Sequence, residues 1–482
     1  MLTKSDFLMG RQCHKRLWLE VQGSGGAAAL TPDQRHALEQ GQAVGRLAQA
    51  QFPQGQLIQA TGEAALEATA AAIAAGATCL FEAAFSWQGW LVRCDILQRQ
   101  PQGTWTLIEV KGSTQVKDEH VWDAAVQWAV LKGAGVPVDQ VDLMHINRAT
   151  CVYPDLSTLF HRQDITADVV ARQPEVADRC QQFQAVVAAP SAPAVAIGDH
   201  CHQPQRCPFQ AQCWQGVPAA SIFTIPRLDK KKKRQLVETG CWAIADLAPD
   251  FPLSANQRAY VETVRRGEPE IDLQKIADHL ATVTFPIHFF DFETFNPAIP
   301  RFHGLKPYDA FPFQYSCHVL AADGTVTHQD YLHETADDPR PPLVAALLSH
   351  IGPTGSVVAY HQSFEATVLK TLAATFPTHG AALQSIVDRL WDLEVIFKDA
   401  YRHPACLGST SIKKVLPVLV PTLSYDHLPV SNGAIAQAIW EAMVQTPDPA
   451  QKQRHRDDLR TYCHQDTWAM VAIYQVLQRL VA

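Results

Sequence analysis

Residues 287–295 read IHFFDFETF. Alternation in a strand sends residues i and i+2 to the same face, so Asp291 and Glu293 project together. Phe289, Phe290, Phe292 and Phe295 surround them. Two acids set among aromatics repel each other and climb in pKa unless a cation compensates. The segment therefore predicts a strand in a core that carries an acidic site. Working outward, strand-like runs at 286–292, 313–320, 326–332 and 356–360 are mixed with helices, and a long helix over about 455–480 closes the chain. Strands followed by alternation indicate an α/β layer over 281–482.

Further acids fall on the same region. Glu365, in VVAYHQSFEATVLKTL, sits at a strand-to-helix junction, with Asp392 in RLWDLEVIF as a substitute or supporting acid. Tyr462 and Asp466, in LRTYCHQDTWAMVAIYQVL, are one turn apart and share a helix face. Lys413 and Lys414 begin a helix and read equally as a substrate-side pair or a solvated face.

Residues 1–220 predict helices around a short sheet: a helix capped by Ser5 and running through Cys13 to Leu19, and an alanine-rich helix over 62–75. Strands follow at 80–85, 90–97 and 105–110, separated by Gln88-Gly89 and Gln102-Gly103, and then a helix over 119–133. Asp95 lies on the second strand; Glu109 and Lys111 share a face of the third. Carboxylates converging from adjacent strands suit a hard divalent cation, Mg²⁺ or Mn²⁺, and the lysine can orient water or stabilise charge on a phosphate. The bland alternative is a solvated hairpin. Gln127, among Ala, Val, Trp and Leu, needs a partner if buried; Glu82 is a reserve carboxylate. Residues 221–280, with the basic run 227–234, read as a helical connector able to meet a phosphate backbone.

Twelve cysteines in a chain expected to be cytoplasmic are not a disulfide framework. Cys201, Cys207 and Cys213 are spaced C-x₅-C-x₅-C among prolines, and Cys13 is the distant fourth. Four thiolates suit an iron–sulfur cluster. Zinc, joined by His200 or His202, is the alternative, although zinc knuckles favour closer pairs; buried thiols are the third reading. The chain has 482 residues, 47% hydrophobic and 18% charged, with a net charge of −8. These values exclude whole-chain disorder and a wholly basic coat protein. No apolar run reaches the ~18 residues of a membrane span, and the first twenty residues lack a signal-peptide core.

The order DIL–IEVKGS–AAVQWAVL resembles the PD-(D/E)XK nucleases of the RecB-like branch. The resemblance implies metal binding by Asp95 and Glu109, hydrolytic assistance by Lys111 and a supporting Gln127. Gly41-Gln-Ala-Val44-Gly45 lacks the histidine usual in that branch, and Leu131 stands where it often has tyrosine. The cysteine layout resembles iron–sulfur members, including CRISPR-associated RecB-like exonucleases and AddB, and implies a 4Fe-4S cluster on Cys13, Cys201, Cys207 and Cys213. The later motifs resemble the DEDD exonucleases of the RNase H-like fold. In those terms Asp291, Glu293, Glu365 and Asp466 are metal ligands, and Tyr462 orients the attacking water. The whole layout resembles a bacterial family of uncharacterised proteins joining the two modules. The expectation is three segments: a restriction-endonuclease-like module at 1–220, a connector at 221–280 loosely resembling a helix-hairpin-helix, and an RNase H-like domain at 281–482. The expected activity is metal-dependent, exonucleolytic hydrolysis of DNA or RNA, single-stranded DNA foremost. The alternatives are a nucleic-acid-binding scaffold with one or both sites silent and an iron–sulfur redox sensor. No membrane partner is expected.

Overall fold

The structure, a computed structural model, describes residues 1–23 and 30–482. It is mixed α/β and divides into two compact units. One is Met1–Gln215 with Pro297–Asp309; the other is Gly216–Asn296 with Ala310–Ala482. No helix among the described residues is long and apolar enough to cross a membrane.

The first unit holds a seven-stranded sheet of β1 (Leu2–Thr3), β2 (Gln56–Leu57), β3 (Cys79–Trp87), β4 (Trp90–Arg99), β5 (Trp105–Lys111), β6 (Val138–Ile146) and β7 (Phe160–Asp164). The order is β2-β3-β4-β5-β6-β7, with β1 alongside β4. β3, β4 and β5 form an antiparallel meander. Its first turn is Gln88-Gly89, both residues at positive φ (47° and 82°), the backbone that matches strand twist in a two-residue hairpin. β5 and β6 are parallel, which requires a crossover. The helix Asp118–Gly133 supplies it, and it is buried almost all round, including Trp122, Val126, Trp128 and Leu131. β6 and β7 were not anticipated. The asparates in VDQVDLMHI break the apolar signal, yet the strand from Val141 to Ile146 is buried.

The expected single helix from Ser5 to Leu19 is corrected. Thr3, not Ser5, caps α1 (Lys4–Gln12), in a reciprocal capping box with Asp6. The chain leaves helical geometry at Cys13 (φ −165°) before a second helix, His14–Val21. The break frees the Cys13 side chain from the regular helix face.

The second unit has β8 (Glu270–Ile271), β9 (Ile287–Phe295), β10 (Phe311–Leu320), β11 (Val326–Leu332), β12 (Val357–Ala359), β13 (Leu390–Asp392) and β14 (Tyr401–Arg402). The main sheet has the order β11-β10-β9-β12-β13, while β8 pairs with β14. β10 is antiparallel to both β9 and β11; β9, β12 and β13 run parallel. One sheet face buries Phe290, Phe292, Tyr315 and Cys317 against Leu343, Leu347, Leu369 and Leu372. The other face carries Asp291 and Glu293. The closing helix Pro449–Val481 crosses it: Phe289 meets Tyr474 edge to face at 5.5 Å, and Gln314 donates to the Leu459 carbonyl at 3.0 Å.

The connector is not a unit of its own. Ile222, Ile225, Leu228, Leu236 and Tyr260 form a local core, and Ile271 pairs with Tyr401, which ties this stretch into the second unit. Conversely, the excursion between β9 and β10 joins the first unit, where Leu305 accepts from the Tyr153 amide at 2.9 Å and Arg148 pairs with Asp309 at 2.8 Å.

Candidate active sites

In the second unit the acids of β9 meet three helices. With α1 above and α2 assigned to Asp118–Gly133, these are α3 (Ser363–Thr375), α4 (Ile412–Leu419) and, beyond α5 (Gly433–Gln445), α6 (Pro449–Val481). Asp291, Glu293, Glu365, Lys413, Tyr462 and Asp466 line one cavity of about 500 Å³, with Asn296, His361 and Gln437 also on its wall. The four acids expected as ligands, Asp291, Glu293, Glu365 and Asp466, all reach it. Glu293, Glu365 and Asp466 are buried. One Glu365 oxygen, Oε2, is buried without a hydrogen-bond partner, an arrangement that costs free energy unless something else satisfies it.

The electrostatics follow from crowding. Burial, then Asp466, Glu293 and Glu365, push Asp291 well above the ordinary carboxylate range. Burial and Asp466 do the same to Glu293. Glu365 is pushed up to about 8, chiefly by burial. Asp466 is raised to about 6 by burial, tempered by Tyr425, Lys413 and Tyr462. The Tyr462 phenol is driven up by burial and by Asp466, so it stays protonated. Lys413 donates to the Tyr462 hydroxyl at 3.3 Å and to the Ser431 carbonyl. Its ammonium lies 5.3 Å from the ring centroids of both Tyr425 and Tyr462. Of the lysine pair, Lys413 faces the cavity; the Lys414 carbonyl instead accepts from the Cys406 thiol. Asp392 does not line the cavity: its Oδ1 accepts from the amides of His361 (2.9 Å) and Glu394 (3.0 Å), close enough to raise Glu365. Cys463 was missed; its sulfur lies within 4.8 Å of ligand oxygens of Asp291 and Glu293. Tyr425 was missed too, and its loop gives no periodic signal. The donor set suits hard divalent cations, because its ligand atoms are carboxyl oxygens and Glu365 Oε2 lacks a hydrogen-bond partner.

In the first unit the sequence-derived residues also converge, but into a closed network. Glu109 Oε1 receives Lys111 at 2.6 Å and Lys4 at 3.0 Å, and Glu109 Oε2 accepts from Gln127 at 2.7 Å. Asp123 joins: Lys111 reaches its Oδ2 at 2.5 Å, Lys4 its Oδ1 at 3.4 Å, and Gln127 its Oδ1 at 3.2 Å. Asp95 Oδ2 accepts from the Val110 amide at 2.8 Å. Burial favours neutral Glu109, but the ammoniums of Lys111 and Lys4 outweigh it and hold this carboxyl below its usual range. Asp95, pushed by burial and by Glu109, rises to about 7. Glu109 thus spends both oxygens inside the network, and a cation there competes with two ammoniums. Lys4 and Asp123 were missed. Asp123 precedes Gln127 by four residues on α2, a spacing that places both on one helix face; Lys4 follows the two-residue β1, which no local pattern announces. The reserve carboxylate Glu82 is paired with Arg93 at 3.2 Å.

Cys13, Cys201, Cys207 and Cys213 line one cavity with Arg16 and Phe209. Gln12 ties the two segments together by donating to the carbonyls of His200 (2.7 Å) and Gln205 (2.8 Å), and the Cys207 amide donates to the Cys201 carbonyl at 2.9 Å. Burial raises the Cys13 thiol, and Cys201 and Cys213 add to the rise. Burial raises Cys207 as well, with Cys13 and Cys201 adding and Arg16 opposing. Four sulfurs on one cavity, with Cys13 and Cys207 made harder to ionise by burial, fit a cationic metal centre that would hold them as thiolates. His200 lines the same cavity, its Nε2 3.7 Å from the Cys201 sulfur; His202 instead meets Gln210 at 3.1 Å.

Residues 288–411 match the model of a family described as a domain of unknown function, DUF2779. The match takes in Asp291, Glu293 and Glu365 and stops before Tyr462 and Asp466. The uncharacterized protein UU173 of Ureaplasma parvum serovar 3 is 27% identical over 217 residues, covering 40% of this chain and 31% of the relative. The uncharacterized protein MG366 of Mycoplasma genitalium is 23% identical over 216 residues, covering 40% of this chain and 32% of the relative. The chain thus spans about a third of the length of the curated relatives it matches.

Proposed function

We propose that the chain is a divalent-metal-dependent nuclease that hydrolyses phosphodiester bonds from the ends of single-stranded DNA or RNA, with its chemistry at the β9–α6 site. The carrying observation is the convergence of Asp291, Glu293, Glu365 and Asp466 on one open cavity in which Lys413 is the lysine present. The strand order β11-β10-β9-β12-β13, antiparallel on one side of β9 and parallel on the other, supports an RNase H-like sheet. The β3–β4–β5 meander followed by α2 and parallel β6 supports a PD-(D/E)XK core in the first unit.

Asp291, Glu293, Glu365 and Asp466 would hold Mg²⁺ or Mn²⁺. Such ions, when bound, stabilise the entering and leaving oxygens of the phosphodiester. The chain's own groups do the rest. Tyr462 keeps its proton and orients the attacking water. Lys413, beside it, offers positive charge to the phosphate as negative charge grows in the transition state. Asn296, His361 and Gln437 line the space left for substrate. The cysteine centre, as a 4Fe-4S cluster or with zinc as the alternative, would tie the N-terminal helices to the 200–213 segment. For the first-unit site, the internal pairing of Glu109 and Asp123 with Lys4 and Lys111 favours the second reading, nucleic-acid binding without cleavage.

The test is digestion of end-labelled single- and double-stranded DNA and RNA with Mn²⁺ or Mg²⁺. Wild type should shorten one of these stepwise, Asp291→Asn should not, and Lys111→Ala should retain the stepwise products. Equal digestion by wild type and Asp291→Asn would move the activity away from this site.

A further inference from the structure

A second, chemically different cluster lies on the same sheet face as the acids, toward the β11 edge. His318 of β10 stands directly across from His328 of β11 in the antiparallel register, and directly opposed side chains lie on one face. His464 of α6 comes down on the pair. Ring centroids are 4.3 Å apart for His318 and His328, and 4.6 Å from each of these to His464. One ligand nitrogen from each ring falls within 4.8 Å of the other two; His318 is buried, and His328 and His464 are exposed.

We propose that His318, His328 and His464 form a binding site for one zinc-type transition-metal ion that clamps α6 to the β10–β11 hairpin. The rings' own hydrogen bonds run to hydroxyls. His318 Nδ1 bonds Thr467 Oγ1 at 2.8 Å, and His328 Nε2 bonds Ser316 Oγ at 2.9 Å. The two hydroxyls bond each other at 2.7 Å. Each of these two rings thus has one nitrogen held by a hydroxyl and a second to offer, and an outer hydrogen bond of this kind is what fixes a ligating imidazole. Trp468 covers His318 at 5.4 Å between ring centroids. Asp330 lies near His328 and His464 and is held by Arg460 at 3.3 Å, adding negative potential beside the site. Three imidazoles and an exposed rim match the open zinc pattern of three protein ligands and a water. Nitrogen ligands select Zn²⁺, Co²⁺, Ni²⁺ or Cu²⁺ over Mg²⁺, so this site and the carboxylate cavity draw on different ions. The clamp acts on function by position. His464 lies two residues from both Tyr462 and Asp466, so an ion here fixes the register of the helix that carries them.

Co²⁺ is the probe. Full-length protein stripped with a chelator is titrated with Co²⁺, and the wild-type spectrum is compared with those of His328→Ala and His464→Ala, both changes at exposed positions. The difference spectra should show visible d–d bands without thiolate-to-cobalt charge transfer, and each variant should lose one bound ion per chain. Asp291→Asn should keep the bands, and a large excess of Mg²⁺ should not displace the ion. Zn²⁺ should raise the Tm of wild type more than that of either variant. Identical Co²⁺ spectra and stoichiometry in wild type and both variants, or no such bands in wild type, would overturn the proposal.

Discussion

In the first unit Asp95, Glu109 and Asp123 face Lys4 and Lys111; in the second, Asp291, Glu293, Glu365 and Asp466 share a cavity with Lys413. Two like charges ~4 Å apart at an effective dielectric of ~20 repel by about 4 kcal/mol, a large share of the ~5–15 kcal/mol that holds a domain together. In the first cluster the ammoniums of Lys111 and Lys4 offset that penalty for Glu109, whose carboxyl is held low, while burial and Glu109 still push Asp95 and Asp123 up. The second has Lys413 beside four acids, and all four carboxyls are shifted upward, so protons or cations must relieve what Lys413 does not. Similar acids on neighbouring strands thus have different requirements, set by where lysines enter.

The comparison can be broken most forcefully at Asp291. On the proposed function, replacing it by asparagine would remove a ligand of the cation that contributes several kcal/mol to transition-state stabilisation, so nuclease turnover should fall by about 10³-fold or more. The fold should survive, because like-charge repulsion is relieved; turnover and far-ultraviolet circular dichroism on one preparation check both. Lys111→Ala should act in the opposite sense. It leaves Glu109 and Asp123 with Lys4 as their remaining lysine, and breaking such a pair costs about 3 kcal/mol or more, read as a lowered denaturation midpoint with little change in β9–α6 turnover. Tyr462→Phe should be milder than Asp291→Asn, about 10²-fold in kcat, because it deletes one hydroxyl and leaves every carboxylate in place.

Both clusters were legible in outline because their acids obey short periodicities. Asp291 and Glu293, or Glu109 and Lys111, share a face by strand alternation, and Tyr462 and Asp466 by one helical turn. The cysteine convergence was legible from the C-x₅-C-x₅-C spacing among prolines, together with the resemblance to iron–sulfur members that implied Cys13 as the fourth. What the sequence hid were partners brought in by tertiary structure. Lys4 reaches Glu109 across 105 residues of chain. Tyr425 comes from an irregular loop, and His318 meets His464 only because α6 crosses the sheet. Asp123 was within reach through its spacing to Gln127. The break at Cys13 was not, because the helical pattern continues on both sides of it.

The smallest effect separates Glu365 and Asp466 from Glu109 by pH. Glu365 binds a proton up to about 8 in the folded chain, against an ordinary 4.5, and Asp466 up to about 6, against 3.8. Their contribution to stability is fully present below those ordinary values and is lost as pH rises through 6 and 8. Glu109 is shifted downward, so its contribution is present above its ordinary 4.5 and is lost only as pH falls toward its lowered folded value. The Tm of metal-free wild type, measured relative to Glu365→Gln, should therefore decline from about pH 5 to about pH 8. Mn²⁺ should restore it at the alkaline end.

The most direct measurement is calorimetric titration of Mn²⁺ into metal-free wild type, Asp291→Asn and Glu109→Gln at neutral pH. The account predicts that Asp291→Asn loses most of the binding heat and that Glu109→Gln retains it. Loss of binding in Glu109→Gln with none in Asp291→Asn would place the cation in the first unit and contradict the account.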